Sequence, residues 1–177
     1  MRAFWRSAAG RLARDRKGAA MVEFALVAPI FLGLLLATFE LGILGMMSAN
    51  FNGAVDSVSR RIRTGQADRP NSAAEFRNLI CAKMVDTVAN CQSRVLVTVQ
   101  PVDAGFSSAR SMLQAQDPNN LTGQQAYDPG DPEQIILVTA TYRWPMALPF
   151  LGDAFPRDTS GRVQIVSRIA FRNEPFE

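Results

Sequence analysis

The 177 residues leave room for about one domain of ~100–150 residues plus one membrane segment. Two cysteines and no histidine remove the commonest general base and the commonest metal ligand, which weighs against histidine-based hydrolases and most zinc sites. The net charge of +3 is unevenly placed: residues 1–18 carry six basic side chains against Asp15, or +5, while the rest holds 13 basic and 15 acidic side chains, or −2. The basic character therefore belongs to a tail. Beside an apolar helix the positive-inside rule accounts for it, and no nucleic-acid partner is expected.

Residues 1–18 form that basic leader. It is either a helix on a membrane surface, with Phe4, Trp5 and Leu12 in the interface, or an unstructured tail that only sets topology. Behind it, residues 24–39 carry no charge, and thirteen of the sixteen are apolar. Residues 19–39 would cover roughly 31 Å at ~1.5 Å per residue, close to the ~30 Å hydrocarbon thickness. Glu23 and Glu40 bracket this slab, and Pro29 predicts a kink near Ala25 to Pro29.

The helix should continue past the apolar slab. Phe51, Val55, Val58 and Ile62 recur on one helical face, Asp56, Arg60, Arg61 and Arg63 lie elsewhere, and Gly65 suits a C-cap. One helix over residues 19–64 is predicted, its first half transmembrane and its second half amphipathic. Residues 65–71 read as a linker. Ser72-Ala73-Ala74-Glu75 is a capping-box sequence opening a second helix with Phe76, Leu79, Ile80, Met84, Val85 and Val88 on its apolar stripe, ending near 89 or Asn90.

Three strands are predicted from period-2 alternation: 94–100, ending at Pro101; 135–144, with Ile136, Val138, Ala140, Tyr142 and Trp144 on one face; and 163–172, with Val163, Ile165, Ile169 and Phe171 opposite Gln164, Arg168 and Arg172. The fold class expected is α+β: a long N-terminal helix, a second helix and a small antiparallel three-stranded sheet whose buried face holds both helices. Residues 65–177 form the α+β domain. Its loop 103–134 is long and polar, and either holds a short helix around Ser107 to Gln114 or is partly disordered. Residues 145–162 carry Met146, Leu148, Phe150, Leu151 and Phe155, which either cap the core or form an exposed loop.

Four features bear on chemistry. Gly18 offers an unhindered backbone at the membrane face, so a cut between Gly18 and Ala19 is plausible on steric grounds. Glu23, five residues beyond Gly18, is costly in lipid unless shallow, protonated or paired, and the plain reading is a carboxylate reaching the interface. Asp128, Asp131 and Glu133 lack a calcium-loop spacing and read as a solvated turn. Gly33 and Ala37 form a small-xxx-small pair fit for helix packing.

The run Lys17-Gly18-Ala19-Ala20-Met21-Val22-Glu23-Phe24-Ala25-Leu26-Val27, followed by Pro29, resembles the start of TadE-like proteins. These are pilin-like (minor pilin or pseudopilin) subunits of the tight-adherence (Tad) type IV pilus system. Looser similarities are Glu40-Leu41-Gly42, Ser59 to Gly65, Pro149-Phe150-Leu151 and the last strand ending near Glu174. The first 65 residues carry most of the resemblance. It implies cleavage by an aspartyl prepilin peptidase between Gly18 and Ala19, pairing of Glu23 with the new α-amino group of Ala19 on a neighbouring subunit, and a role in assembling or initiating a pilus. It implies no enzyme activity, catalytic residues or cofactor. The partners implied are the prepilin peptidase, other pilin-like subunits with the Tad pilus assembly machinery, and the bacterial inner membrane.

The topology expected is a cytoplasmic leader, one membrane pass and a periplasmic domain. In that oxidising compartment Cys81 and Cys91, ten residues apart, are expected to form a disulfide, which requires the chain to turn back between them; the alternative is two reduced, buried thiols. No metal site is expected. The rival reading of the whole chain is an uncleaved, membrane-tethered binding module of the envelope. A secreted enzyme cut after Ala49 would place Met47 where a small residue is needed, and no nucleophile–base set supports it.

Overall fold

The computed structural model describes residues 16–84, 90–102, 105–115, 126–158 and 160–175. The chain divides into two compact units, Met1–Leu41 and Gly42–Glu177. Helix α1, Arg16–Arg63, is continuous over 48 residues, through Pro29, or about 72 Å at ~1.5 Å per residue. It is already helical at Arg16, so no break in the backbone marks the expected boundary at residue 19. Most of the leader lies outside the described residues.

In the first unit, α1 exposes its large apolar side chains round most of its circumference, while Ala37 is buried. Ile30, Phe31, Leu32, Leu34, Leu35 and Leu36 step round the axis at about 100° each, and all are at least 38% exposed. A helix that is apolar all round needs lipid or other helices, not water. It is long and apolar enough to cross a membrane. Glu23 is exposed, whereas Glu40 is buried.

In the second unit the rest of α1 is amphipathic. Phe51, Val55, Val58 and Ile62 are fully buried, on the face expected from their spacing. Gly65 ends the helix at φ 60 as a Schellman cap, with Gly65 N–H donating to Ile62 O at 3.1 Å and Gln66 N–H to Arg61 O at 3.0 Å. Arg60, Arg61 and Arg63 in the last turn complement the negative end of the helix dipole.

Helix α2, Ala73–Lys83, starts as its capping sequence demands: Glu75 N–H donates to Ser72 Oγ at 3.2 Å. The return contact goes one residue further than in the usual box, from Asn71 N–H to Glu75 Oε2 at 2.8 Å. Phe76 and Ile80 are fully buried, each contributing roughly 1.5–3 kcal/mol of transfer free energy.

The end of α2 corrects the expectation from periodicity. The helix stops at Lys83, and Met84 is extended at ψ 138; Val85 and Val88 lie outside the described residues. A helix running on to Asn90 would set Cys81 and Cys91 about 15 Å apart along its axis. Their Cα atoms are 5.9 Å apart. Asn90, left-handed at φ 76, opens the one-turn helix α3, Cys91–Arg94.

Strand β1, Val95–Val102, pairs antiparallel with β2, Ile135–Trp144, which pairs antiparallel with β3, Val163–Arg172. The order β1-β2-β3 follows the sequence. One sheet face (Val95, Val97 and Val99; Ile136, Val138 and Tyr142; Ile165 and Phe171) joins the buried faces of α1 and α2 in a single core. The architecture is therefore α+β, with α1 and α2 on one face of the antiparallel sheet.

The first strand runs past its expected stop. Pro101 lies inside β1, opposite Ile136. Val99 directs its N–H and C=O away from β2, to Ala126 O and Asp128 N at 2.9 Å each. Two residues on, Pro101 faces the same way, so its missing N–H removes no bond to β2.

The loop 103–134 holds helix α4, Phe106–Ala115, close to where a short helix was expected, and Tyr127 bridges to Val99. In 145–162 a one-turn helix α5, Pro149–Gly152, precedes β3, and Met146 and Phe155 pack against the core.

Candidate functional site

The residues singled out for processing and assembly all lie on α1. Gly18 and Ala19 are helical and exposed, and Glu23 is exposed one turn further along. Four residues separate Ala19 from Glu23, so both lie on one side of the helix, about 6 Å apart along its axis. A Cβ added to Gly18 would meet no atom within 4 Å, and the same holds at Gly33. Glycine costs a helix about 1 kcal/mol relative to alanine, yet among the described residues no contact requires it at either position.

Cys81 and Cys91 are joined by a disulfide that links the last turn of α2 to the first residue of α3. Both sulfurs pack against the core. The covalent link thus fixes where the chain re-enters the sheet, four residues before β1.

Sequence reasoning passed over a set of polar residues that hold the loops of the second unit. Asp158 is buried; its Oδ1 accepts from Ser160 N–H and Arg162 N–H at 2.9 Å each, and its Oδ2 faces Arg143 Nε at 3.5 Å. The Asp-x-Ser-Gly order was the available signal, since an aspartate two residues before a turn amide commonly caps it. Asn173, also buried, donates from Nδ2 to Pro129 O and Asp131 O at 3.0 Å each. Tyr127 donates its hydroxyl to Pro70 O. Burial outweighs the nearby Arg69 charge and pushes the Tyr127 phenol up to about 12.

Asp128, Asp131 and Glu133 build a turn. Asp128 Oδ1 accepts from Gly130 N–H at 2.9 Å, Asp131 N–H donates to Gln134 Oε1 at 2.8 Å, and Glu133 meets Arg172 at 3.4 Å. Among the described residues no group of three or more Cys, Asp or Glu side chains is placed to share a metal ion.

No curated protein and no solved structure matches the chain. Residues 18–60 match the family model described as TadE-like protein. That interval holds Gly18, Ala19, Glu23, the whole exposed apolar stretch and most of the amphipathic face of α1. The chain thus carries a TadE-like N-terminal segment, and its long apolar helix fits a membrane-anchored subunit associated with a Tad pilus.

Proposed function

We propose that this chain is a pilin-like structural subunit of a Tad-type pilus, matured by a prepilin peptidase between Gly18 and Ala19 and incorporated through its N-terminal helix. Before incorporation it is held in the inner membrane with its leader in the cytoplasm and its folded unit in the periplasm. It acts as a packing element in assembly or initiation, with other pilin-like subunits as partners and no catalytic role.

The observation that carries this reading is Gly18. It sits in a helix, where glycine is unfavourable, and among the described residues a side chain there would meet no atom within 4 Å, as at Gly33, Gly42, Gly45 and Gly53. What sets Gly18 apart from the other glycines of the helix is its place at the start of the matched segment, five residues before Glu23, where an unhindered backbone suits a peptidase that must open the first turn. The exposure of the apolar stretch round most of its circumference supports the second half of the reading, because neighbouring helices can replace lipid there.

The test is the mature N-terminus by mass spectrometry, in the natural chain and in Gly18→Val. The natural chain should begin at Ala19, and the variant should retain its leader in the membrane. An intact leader in the natural chain would favour the uncleaved envelope-tethered module, a reading to which the unbroken helix through Gly18 lends support.

A further inference from the structure

The two edges of the sheet differ. The outer edge of β1 is occupied: Val95 N–H bonds Cys91 O, Val99 bonds Ala126 and Asp128, and Pro101 has no N–H to offer. Among the described residues the outer edge of β3 is covered only at its start, where Gln164 N–H donates to Pro156 O at 3.0 Å and Asp158 N–H to Arg162 O at 2.9 Å. Gln164 faces outward, so Val166, Arg168 and Ala170 face outward too. Among the described residues their backbone groups have no partner across that edge. This stretch of β3 contains no proline, glycine or bulge, the usual devices that close an edge.

Alongside it runs a groove of about 540 Å³ between β3 and the last turns of α1. Ile169, Ala170 and Phe171 line one wall, and Ser59, Arg60 and Arg63 the other. The Ser59 side-chain oxygen is buried and has no hydrogen-bond partner among the described residues. The groove borders β3 at Ile169 to Phe171, with hydroxyl and guanidinium groups along its helical side.

We infer that the open edge of β3 takes an extended segment of another protein as a fourth strand, and that this segment carries acidic side chains. Strand addition follows from the unpaired backbone row, which selects extended chain over helix. The charge follows from the flanks. Arg63 is paired with Glu174 at 3.3 Å. Among the described residues Arg60 and Arg168 have no ion-pair partner, and Asp56 is the single carboxylate in the groove in the same state. A carboxylate opposite Arg168 would be a cross-strand pair of opposite charge. A second copy of β3 would bring Arg168 and Arg172 instead, and the leader of this chain is basic, so both are the wrong sign. The inference rests on the second unit alone and holds whether or not Gly18 is a cleavage site.

The test uses the full chain in detergent micelles and three synthetic peptides: one alternating Val and Glu, its Val and Lys counterpart, and the Glu peptide N-methylated at alternate amides. Hydrogen exchange is followed at Val166, Arg168 and Ala170. At ten times its Kd the Glu peptide should slow these amides about tenfold, as one-site binding requires. The Lys and N-methylated peptides should not, and Arg168→Glu should exchange the preference of Glu for Lys. Ala170→Pro should abolish protection without touching the pairing to β2, since residue 170 faces outward. Equal protection by the N-methylated peptide would overturn strand addition, and equal protection by the Lys peptide would overturn the charge argument. Protection that needs no peptide and rises with protein concentration would make a second copy the occupant and overturn the assignment to another protein.

Discussion

Glu174 closes the C-terminal end of α1 through two contacts with Arg63: its amide donates to the Arg63 carbonyl at 2.8 Å, and its carboxylate meets the guanidinium at 3.3 Å. The first satisfies a carbonyl that the helix itself leaves without a partner. The second joins two half-exposed side chains and is screened by solvent. The backbone contact should therefore matter more. Glu174→Ala is expected to change stability by less than about 0.5 kcal/mol. Glu174→Pro deletes the donor and should cost about 1 kcal/mol or more, measured by near-UV circular dichroism on heating the chain in micelles.

The Asp158 contacts predict a larger effect. In Asp158→Ala two turn amides lose their acceptor and Arg143 loses its counter-charge, for a loss of roughly 2–3 kcal/mol in denaturant unfolding. Asp158→Asn keeps an oxygen for the amides and should lose about half as much. Equal losses in the two variants would place the whole effect in the charge.

Tyr127 predicts a pH dependence. Its phenol is held at about 12 in the folded chain, against 10.0 for an unperturbed tyrosine. The folded state thus resists ionisation that the unfolded state accepts near pH 10. The contribution is fully present below about pH 10 and is lost as pH rises towards 12. Phenolate absorbance should show a late-titrating tyrosine that disappears in Tyr127→Phe, and the variant should show a smaller fall in stability over that window.

The Cys81–Cys91 link closes a loop of about ten residues. Replacing both cysteines by serine should cost roughly 2–3 kcal/mol on the loop-entropy model. Mass mapping of the unreduced chain should yield one cross-linked peptide pair. Recovery of both thiols alkylated without prior reduction would reject the pairing in the native compartment.

Glu23 predicts a defect in assembly alone. Its exposed position on the apolar stretch leaves it to be met from outside the chain. Glu23→Gln keeps the shape and removes the charge, so membrane levels and processing should stay near those of the natural chain while incorporation into a pilus fails. Normal surface pili in that variant would remove the pairing with the Ala19 amine. Loss of processing would move the role of Glu23 to recognition by the peptidase.

Most of the fold was legible because it rests on short-range periodicity. The face Phe51, Val55, Val58 and Ile62, the alternation in 135–144 and 163–172, and the Ser72 cap all depend on neighbours within a few residues. What was missed depends on distant partners. The stripe through Val85 and Val88 extends the α2 pattern, and only the link between Cys81 and Cys91 shows that a helix cannot continue. Pro101 reads as a stop unless β1 is known to be an edge strand. Tyr127 finds Pro70 at a separation of 57 residues, which no local pattern announces. Gly18, Ala19 and Glu23 were legible as an ordered run, and the fold adds one fact about them: among the described residues nothing packs within 4 Å of where a Gly18 side chain would begin.

The cross-link also bears on how this chain is made. With two cysteines in all, the chain has one possible intramolecular pairing, and the partners are ten residues apart. Both halves of the bond are synthesised before any strand of the sheet exists. No wrong intramolecular bond needs to be reshuffled, so the second unit requires an oxidant and no disulfide isomerase. The competing reaction is a bond between two copies, whose rate rises with their local concentration. The short separation of Cys81 and Cys91 favours the bond within one chain over that cross-link.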